Sequence, residues 1–590
     1  MLLFYDFEVF KHDWLVVIYD MQAKEKHVII NDADKLTDFY NAHVNYIWVG
    51  YNSNHYDQYI LKGILLGMNP KIINDKIIID GLDGWQISNE FRKVKLLQYD
   101  CMPNPPCGLK TLEGFMGNDI KETDVDFNLD RKLTESELEQ TVKYCTHDVE
   151  QTIEVFLRNK SSFDSNMALV KEFDLGLNHL ADTGARITAT ILDCVKHDYN
   201  DEFDVTFLPC LKIKKYAKVL DWYRQQFEYA KKGYYVYSTF LTIDVAGVPH
   251  TFGFGGLHGA PNTPIHEKGA IYHVDVNNYY PSLLIAHDLV TRSARNSNYA
   301  KVYNIRKALK IKQLKAKTKE EKALYKKQQL PYKNILNSLS GAMKDKFNQA
   351  YDPRNNNMMC INGQLMLLDL IEHLEVIDGF KLIQSNTDGL IVKVPNTDYA
   401  FNQLDDICYE WECRMSTAKC DICLALDSIS EIYQRDVNNY LWLENDGSIG
   451  ERKGAYVKEL SPLDYDLPIV NKALINYMAY KTPIEQTINE CNDLIEFQKI
   501  VKLSPKYDYV MHNGKKYTYK CYRVFASTSN NDGVIYKCRN GKQDKFASTP
   551  LHCYIDNDNI NGKTLSDKLD KQWYINLAKD RLSQFLGVQI

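Results

Sequence analysis

The sequence predicts an α/β multidomain fold, and three observations support this. A chain of 590 residues is too long for a single hydrophobic core, so we expect three or four domains. Alternating patterns such as LLFYDFEV and AIYHVDV predict strands, each ending close to an acidic residue. Segments such as VKYCTHDVEQTIEVF have helical periodicity and lie between the predicted strands.

Composition favours a water-soluble protein that handles phosphates in one region. The chain is 45% hydrophobic, opens MLLFYD without a basic, apolar leader and has no apolar run near the roughly 18 residues of a membrane span. We therefore expect a cytoplasmic protein that does not associate with a membrane. Although the net charge is −6, residues 301–333 hold twelve Lys or Arg and only two acids. This excess is typical of a phosphate-binding surface; the alternative is a solvated, charged helix.

The fourteen cysteines show no secreted-domain pattern, so we expect reduced thiols. Cys420 and Cys423 form one CxxC, and Cys408 and Cys413 precede it. The second CxxC or His pair that makes such spacing specific for zinc is missing.

The first strand carries Asp6 and Glu8 two residues apart, so both side chains point to the same face. Two adjacent carboxylates repel each other unless a cation lies between them. The alternative is a solvent-facing pair on an edge strand.

More groups of the same kind follow along the chain. Asp57 follows an aromatic residue in GYNSNHYD, and Tyr144 and Asp148 lie four residues apart on a predicted helix, so they share a face. Four carboxylates, an Asn-rich approach and a tyrosine are the parts of a two-metal site for phosphodiester hydrolysis. In such a site the tyrosine can orient the attacking water.

A second acidic site is predicted in the middle of the chain. Asp275 ends the strand at 270–276, and FKLIQS-NTDG-LIVKV predicts a β-hairpin with Asp388 in its turn, although NTDG is also simply good turn chemistry. The Gly-rich segment 252–262 is predicted to be a loop, one that either lets the backbone approach a nucleic-acid strand or merely links two domains.

Residues 298–343 predict a helical hairpin, with Thr318 and Glu321 as a capping box and a kink at Pro331. Arg306 and Lys310 share a face of the first helix. Lys333, Asn337 and Gly341 share a face of the second. The basic side chains of the two helices should therefore converge on one groove.

The C-terminal part predicts a mixed structure. Helices are expected at 468–479 and 485–500, followed by strand-like KKYTYKCYRVFAS and VIYKCRNG with the turn SNNDG between them. A last helix is expected over DKQWYINLAKDRLSQFL.

Seven motifs in one order resemble those of the family B DNA polymerases, most closely the compact bacteriophage enzymes, over residues 1–460. DFE, the Asn-containing loop ending Tyr-Asp, and Tyr-x-x-x-Asp resemble the three exonuclease motifs. DVNNYYPS, KNILNSLSG and NTDG resemble the first polymerase motif, the fingers motif and the Asp-Thr-Asp hairpin, and RKGAYVK resembles the primer-grip motif. The resemblance implies a 3′–5′ proofreading exonuclease beside a DNA-directed DNA polymerase that replicates a phage genome.

For the exonuclease, the resemblance implies that Asp6, Glu8, Asp57 and Asp148 hold metal and that Tyr144 orients water. Asn52 or Asn54 would bind single-stranded DNA. Lys121 would stabilise the leaving phosphate, although its spacing differs by about one residue from the family pattern.

For the polymerase, the resemblance implies that Asp275, Asp388 and the Val276 carbonyl bind metal, with Tyr280 as the steric gate against a ribose 2′-hydroxyl. The incoming nucleotide would contact Arg306, Lys310, Lys333 and Asn337, and the primer end would contact Lys453 and Tyr456. The implied cofactors are two Mg²⁺ or Mn²⁺ ions per active site. The implied partners are primer–template DNA, dNTPs and phage replication accessory proteins.

The resemblance also implies an order of domains, that of a right-hand polymerase behind an RNase H-like nuclease. The boundaries are an exonuclease domain at 1–165, a connecting helical region at 166–250, the palm at 251–297 and 344–460, short helical fingers at 298–343, and a thumb with a C-terminal region at 461–590.

The chain departs from the family pattern at three places. The first hairpin Asp is Asn386, the Tyr before the motif glycine is Ser340, and the primer-grip motif Lys453-Gly-Ala-Tyr456 is one residue longer. One alternative is therefore a nuclease whose polymerase half binds DNA but is inactive. Another is a protein-primed polymerase, although the short intervals 275–333 and 337–386 leave no room for the insertions of that class.

Overall fold

The computed structural model describes residues 1–590, whose helices and strands fall into three stretches of the chain. The N-terminal stretch holds β1 (Leu2–Val9), β2 (Trp14–Asp20), β3 (Glu25–Ile30), α1 (Ala33–Ala42), β4 (Ile47–Gly50), α2 (Asp57–Leu65), α3 (Pro70–Ile78), α4 (Gly84–Ile87), β5 (Gln98–Asp100), α5 (Leu109–Phe115), α6 (Glu135–Arg158) and α7 (Lys160–Glu172).

The middle stretch holds α8 (Gly184–Ile191), α9 (Ala217–Lys231), β6 (Leu241–Val245), β7 (Val248–Phe252), β8 (His258–Gly259), β9 (Ile265–Val276), α10 (Tyr279–Ala286), α11 (Asn298–Lys315), α12 (Lys319–Lys344), α13 (Pro353–Leu374), β10 (Lys381–Asn386), β11 (Gly389–Lys393), α14 (Asp398–Met415), β12 (Leu424–Asp436), β13 (Asn439–Leu443), β14 (Ile449–Lys453), α15 (Pro468–Tyr480) and α16 (Ile484–Glu490). The C-terminal stretch holds β15 (Lys499–Lys502), β16 (Tyr509–His512), β17 (Lys515–Tyr517), β18 (Cys521–Ala526), β19 (Tyr536–Arg539), β20 (Lys542–Lys545), β21 (Cys553–Ile555) and α17 (Lys571–Leu586).

The chain forms two compact units, and both are discontinuous in sequence. The first unit contains Met1–Asp182, Leu460–Ile469 and Ile488–Ile575. The second contains Thr183–Glu459, Val470–Thr487 and Asn576–Ile590. No helix has the combination of length and apolar character needed to cross a membrane.

The N-terminal part of the first unit is a mixed five-stranded sheet in the order β3-β2-β1-β4-β5. Strand β1 is antiparallel to β2 and parallel to β4. Alternate residues of β1 enter two cores: Phe4 packs in the core that holds Phe156 of α6, and Tyr5 packs in the core that holds Ile60 of α2. Helices therefore cover both faces, and β1 is buried at the centre of the sheet rather than at an edge.

The C-terminal part of the first unit consists of two small antiparallel sheets, ordered β15-β18-β21 and β17-β16-β19-β20. The three-stranded sheet and the segment that follows β21 pack against residues 109–122, which include α5: the Ile120 amide donates to the Asn557 carbonyl at 2.8 Å, and the Ile560 amide donates to the Gly117 carbonyl at 2.9 Å. The predicted helix at 485–500 is wrong beyond Glu490, because Asp493 caps a short 3₁₀ turn and the β-branched KIVK run pairs with β18. The strand-like KKYTYKCYRVFAS divides into β17 and β18, which belong to different sheets.

The second unit is built on a nine-stranded sheet in the order β14-β13-β12-β9-β11-β10-β8-β7-β6. The predicted strand at 270–276 is the end of β9, and the NTDG hairpin is β10–β11. The predicted helical hairpin is α11 and α12; Thr318 and Glu321 form the capping box, and α12 continues through Pro331. Helix α13 is buried along most of its length. The Gly-rich loop at 252–262 begins at the last residue of β7 and is interrupted by the two-residue strand β8.

Two candidate active sites

The first candidate site lies at the centre of the five-stranded sheet, where three elements meet. Asp6 and Glu8 lie on β1, Asp57 begins α2 and Asp148 lies in α6. The Phe7 amide donates to Asp57 Oδ1 at 3.2 Å, and the Cys145 thiol donates to the Asp6 carbonyl oxygen at 3.3 Å. Main-chain contacts of β1 thus fix the helices that carry the other two carboxylates.

Burial and mutual repulsion make these carboxylates hard to ionise without a cation. Burial raises the pKa of Asp6, and the nearby Asp57 and Asp148 raise it further. Burial likewise raises the pKa of Glu8, with Asp6 as the next cause, and raises the pKa of Asp57 to about 7. The ligand atoms of Asp6, Glu8 and Cys145 lie within 4.8 Å of one another. This predominantly carboxylate set fits Mg²⁺ or Mn²⁺, which prefer oxygen ligands.

Lys110 supplies a positive charge at this cluster that the sequence did not indicate. Its ammonium donates to Asp148 Oδ1 and, at 3.1 Å, to Glu113 Oε1. It also lies 4.7 Å from the ring centroid of Tyr144. Burial lowers the pKa of Lys110, but Asp148 and Glu113 outweigh this and the net pKa is raised. In the sequence, Lys110 and Glu113 resemble an ordinary surface pair three residues apart.

A second buried group lies behind Lys110. Glu113 is fully buried, and His147 Nε2 lies 3.5 Å from its Oε1. The ligand atoms of Glu113, His147 and Asp148 also lie within 4.8 Å of one another. The charge of Lys110 therefore has two carboxylate partners inside the protein.

Lys121, to which the family pattern assigns the leaving phosphate, lies elsewhere. Its side chain is 57% exposed and pairs with Asp119 at 3.3 Å. The structure thus brings Lys110 to the predicted carboxylates and does not bring Lys121 into contact with them.

The loop that carries Asn52 and Asn54 is organised by Asp100, which the sequence did not single out. The main-chain amides of Asn52 and Asn54 each donate to the Asp100 carboxylate at 2.9 Å. Asn52 adopts a left-handed backbone with φ of 58°, and the Asn54 side-chain oxygen accepts from Gln98.

Tyr144 is hydrogen-bonded to Asp148, and burial raises the pKa of Tyr144 strongly. It is therefore a neutral phenol.

The second candidate site lies at the centre of the nine-stranded sheet. Asp275 pairs across the ladder with Gly389, and the Val276 amide donates to the Asp388 carbonyl oxygen at 2.8 Å. A Cβ at Gly389 would lie 2.9 Å from the Val274 carbonyl oxygen, so the hairpin approaches β9 closely only because residue 389 has no side chain. The two predicted metal ligands are thus held together by backbone pairing.

Electrostatics at this site match those of the first. Burial and then the neighbouring Asp388 raise the pKa of Asp275 to about 7, whereas Lys310 lowers it. Asp427 of β12 and Glu451 of β14 also raise that pKa, and the sequence had not indicated either. A buried carboxyl group with a raised pKa beside further carboxylates again fits a divalent cation held by oxygen ligands.

A cavity of about 370 Å³ opens beside these carboxylates. It brings together eight residues that the sequence predicted at the polymerase site, and these are Asp275, Val276, Tyr280, Arg306, Lys310, Lys333, Asn337 and Asp388. Ser340 also lines it. One wall is therefore acidic sheet, and the opposite wall is basic helix.

The basic wall is oriented by two asparagines of the NNYYP turn. Arg306 Nη1 donates to Asn278 Oδ1, and Lys310 Nζ donates to Asn277 Oδ1 at 2.8 Å. Arg306 Nε is buried and has no partner. Burial lowers the pKa of both Arg306 and Lys310. Partly desolvated cations with a donor left over form a suitable receptor for a polyanion.

Tyr280 projects from α10 into the cavity and is packed on two sides. Its ring stacks on Tyr279 with centroids 5.5 Å apart. A Cβ at Gly363 would lie 3.0 Å from Tyr280 Cε1, so α13 approaches the ring closely. The ring position is therefore fixed before any ligand binds.

The predicted primer-grip residues do not line the cavity. Lys453 ends β14 and lies near His258, whose pKa is lowered by burial and then by Lys453. His258 is hydrogen-bonded to Asn386. The Tyr456 hydroxyl donates to Gln584 at 3.3 Å, and Arg581 lies 4.8 Å from the Tyr456 ring centroid.

The two clusters of metal-ligating side chains, Asp6-Glu8-Cys145 and Glu113-His147-Asp148, do not include Cys420 or Cys423 of the CxxC motif.

Comparison with known proteins finds similar solved structures. No protein-family model and no curated protein matches this chain. Among solved structures, it is similar to the family B DNA polymerase of the hyperthermophilic archaeon Pyrobaculum calidifontis, with a TM-score of 0.41 and 12% identity over 99% of this chain and 77% of that chain.

Proposed function

We propose that the chain is a template-directed DNA polymerase of the family B type with a 3′–5′ exonuclease, replicating a phage genome. The observation that carries this proposal is the cavity in which Asp275 and Asp388 face Arg306, Lys310 and Lys333. An acidic wall suits divalent ions, and a basic wall suits a triphosphate. Phosphoryl transfer needs both within one site.

For nucleotide addition, Asp275, Asp388 and the Val276 carbonyl would hold two Mg²⁺ or Mn²⁺ ions, which lower the charge on the reacting oxygens and activate the primer 3′-hydroxyl. Arg306, Lys310 and Lys333 bind the triphosphate oxygens. The asparagines that hold Arg306 and Lys310 fix the direction of these contacts. Catalysis by the chain itself is therefore mostly positioning and charge neutralisation.

The remaining residues would select the sugar of the nucleotide and bind the primer end. The packed ring of Tyr280 occupies the space that a ribose 2′-hydroxyl would need, and Asn337 contacts the nucleotide. Lys453 and Tyr456 contact the primer end from the edge of the nine-stranded sheet. The palm, fingers and thumb boundaries predicted from the sequence are part of the same proposal.

For hydrolysis, Asp6, Glu8, Asp57 and Asp148 would hold the ions that generate hydroxide and stabilise the leaving oxygen. Tyr144 orients the water, and Asn52 and Asn54 guide single-stranded DNA. We assign to Lys110 the charge next to the reacting phosphate, because it contacts Asp148 and lies over Tyr144. The RNase H-like nuclease is supported by the mixed five-stranded sheet with helices on both faces.

The test is extension of a 5′-labelled DNA primer on a single-stranded template by the full chain, with Mg²⁺, with and without dNTPs. We expect longer products with dNTPs and stepwise shortening without them. Shortening under both conditions would identify the alternative, a nuclease whose polymerase half is inactive. Synthesis that requires an added protein with a reactive hydroxyl would identify a protein-primed enzyme.

A further inference from the structure

The four-stranded sheet β17-β16-β19-β20 has one face that neither candidate active site uses. Register places Lys516, Met511, Tyr536 and Lys545 in a single row across the four strands. The opposite face carries Val510, which is buried in the core with Val501 and Tyr522. Because successive residues alternate between faces, the row points away from that core. We call this surface the lysine–tyrosine face; it comprises that row and Tyr509.

The lysine–tyrosine face combines aromatic rings with lysines at its edges. Lys516 and Lys545 are exposed, and Tyr509, Met511 and Tyr536 are half-buried. Lys516 Nζ lies 4.6 Å from the ring centroid of Tyr509. Tyr509 pairs with Cys538, so Tyr509 and Tyr536 are diagonal neighbours, a spacing of about 7–8 Å. The two rings therefore lie at separate positions on the face.

The charge around the lysine–tyrosine face is strongly positive. Residues 499–545 contain eleven Lys or Arg and only three acids, in a chain of net charge −6. All three acids are engaged in other contacts. Asp544 lies on the opposite face and accepts from the Tyr507 hydroxyl at 3.0 Å, Asp532 accepts from Ser527 at 2.6 Å, and Asp508 accepts from the Asn540 amide at 3.3 Å.

We propose that the lysine–tyrosine face binds single-stranded DNA. Bases stack on Tyr509 and Tyr536, while Lys516 and Lys545 contact the backbone phosphates on either side. The tyrosine rings favour single-stranded over duplex DNA. Bases in a duplex are already stacked and paired, so they would gain no further stacking from the rings. This binding goes beyond the proposed function, because neither candidate active site needs these residues.

The test measures binding of a fluorescent 20-nucleotide oligo(dT) by anisotropy, using the full chain in EDTA to prevent its degradation. The variant Lys516→Glu/Lys545→Glu should weaken binding at least about tenfold and lower the slope of log affinity against log salt by about 1.4, for two phosphate contacts. The variant Tyr509→Ala/Tyr536→Ala should weaken binding at least about fivefold per ring and leave the slope unchanged.

The matched control is Lys26→Glu/Lys35→Glu, which makes the same charge change at two exposed lysines of the same unit. It should change affinity less than about twofold. Primer extension and thermal unfolding report that each variant is folded. As a direct readout, ultraviolet crosslinking to bromodeoxyuridine-substituted DNA should label peptides that contain Tyr509 or Tyr536.

Equal losses in the control and test variants would overturn the proposal, as would crosslinks confined to other peptides. Tighter binding of duplex than of oligo(dT), lost in the same variants, would also overturn it and identify a duplex-binding surface. Failure of primer extension in the unaltered chain would leave this result intact, because the binding assay involves no catalysis.

Discussion

The main-chain amide of Val276 donates a 2.8 Å hydrogen bond to the carbonyl oxygen of Asp388. With Gly389 paired to Asp275, this contact joins the two acidic segments of the larger sheet through backbone atoms alone. The carboxylates therefore keep their separation when a side chain is changed. Asp275 and Asp388 can be neutralised without moving the strands. A loss of activity in such a variant therefore reports the missing carboxylate and not a change of fold.

We expect the two activities to be separable. Asp275→Asn or Asp388→Asn should reduce nucleotide addition at least about a hundredfold, because an isosteric amide removes a negative ligand from the site. Shortening of a single-stranded 3′ end should persist, since its carboxylates belong to the other compact unit. Asp6→Ala with Glu8→Ala should do the reverse. If either change abolished both activities in protein with unaltered thermal unfolding, the two-site assignment would be refuted.

Tyr280 should exclude ribonucleotides by steric contact. Tyr280→Val should raise the ratio of rNTP to dNTP incorporation, because the shortened side chain leaves space for a 2′-hydroxyl. Gly363→Ala is the complementary variant: its Cβ would press on Cε1 of the ring from 3.0 Å and should lower nucleotide addition without relaxing sugar choice. The ratio is measured from single-nucleotide extension with each sugar. Unchanged discrimination in Tyr280→Val would show that another residue is the gate.

Asn386 should be compatible with polymerisation, because in the proposed site Asp388 would provide the stronger metal ligand. The Asn386 side-chain oxygen accepts from the Thr387 amide at 2.9 Å, a bond that a carboxylate can equally accept. We expect Asn386→Asp to change the rate by less than about tenfold, or about 1.4 kcal/mol, and to lower the Mg²⁺ concentration for half-maximal rate. An inactive Asn386→Asp variant of an active enzyme would contradict this assignment of the hairpin.

Local patterns in the sequence predicted most of what surrounds the two sites. Strand β1, helix α6, the α11–α12 pair with its capping box at Thr318, and the β10–β11 hairpin each follow from short-range periodicity or turn chemistry. Eight residues named from motifs line one cavity because the motifs end adjacent strands or face inward from the helix pair.

Long-range packing accounts for what the sequence did not predict. Lys110 and Glu113 are buried because strands about four hundred residues later cover α5; Ile500 of β15, for instance, would lie 2.9 Å from a Cβ at Gly114. Periodicity carries no information about such a partner. Asp427 and Glu451 were missed for the same reason, since only the strand order β14-β13-β12-β9 places them in the same sheet as Asp275.

Lys110, rather than Lys121, should be needed for hydrolysis. Lys110→Met keeps the packing of the stem but removes the cation beside Asp148, so we expect the rate of 3′-end shortening to fall at least about a hundredfold. Lys121→Met, at an exposed side chain, is the matched control and should change the rate less than about threefold. Lys110→Arg should recover part of the activity by restoring the charge.

Since Lys110→Met also leaves Glu113 buried without its cation, the double variant Lys110→Met/Glu113→Gln separates charge from folding. It should regain thermal stability and remain inactive in hydrolysis. A large loss in Lys121→Met with little loss in Lys110→Met would restore the role that the family pattern assigns to Lys121.

Arg523 should couple the C-terminal sheets to the hydrolytic site. Its guanidinium is fully buried, and all five of its N–H groups have acceptors: Gln498, the carbonyls of Asp556 and Asp558, and the carbonyls of Gly114 and Asn118, at 2.7–3.2 Å. Burial lowers its pKa to about 10, so it stays charged at neutral pH. Arg523→Met leaves these acceptors without donors and should cost about 3–5 kcal/mol. Lysine cannot replace it, because an ammonium has only three donors.

The loss of stability in Arg523→Met should be confined to the first compact unit, which contains the proposed hydrolytic site. We expect hydrogen exchange at 112–120 and 556–560 to accelerate, and 3′-end shortening to fall at least about tenfold, because α5 carries Lys110 and Glu113. Primer extension should stay within about twofold, since the cavity residues at 275–388 belong to the other unit. An exposed arginine on β19, changed as Arg539→Met, is the control and should alter none of these. Unchanged exchange at 112–120 in Arg523→Met would show that α5 is positioned without the C-terminal sheets.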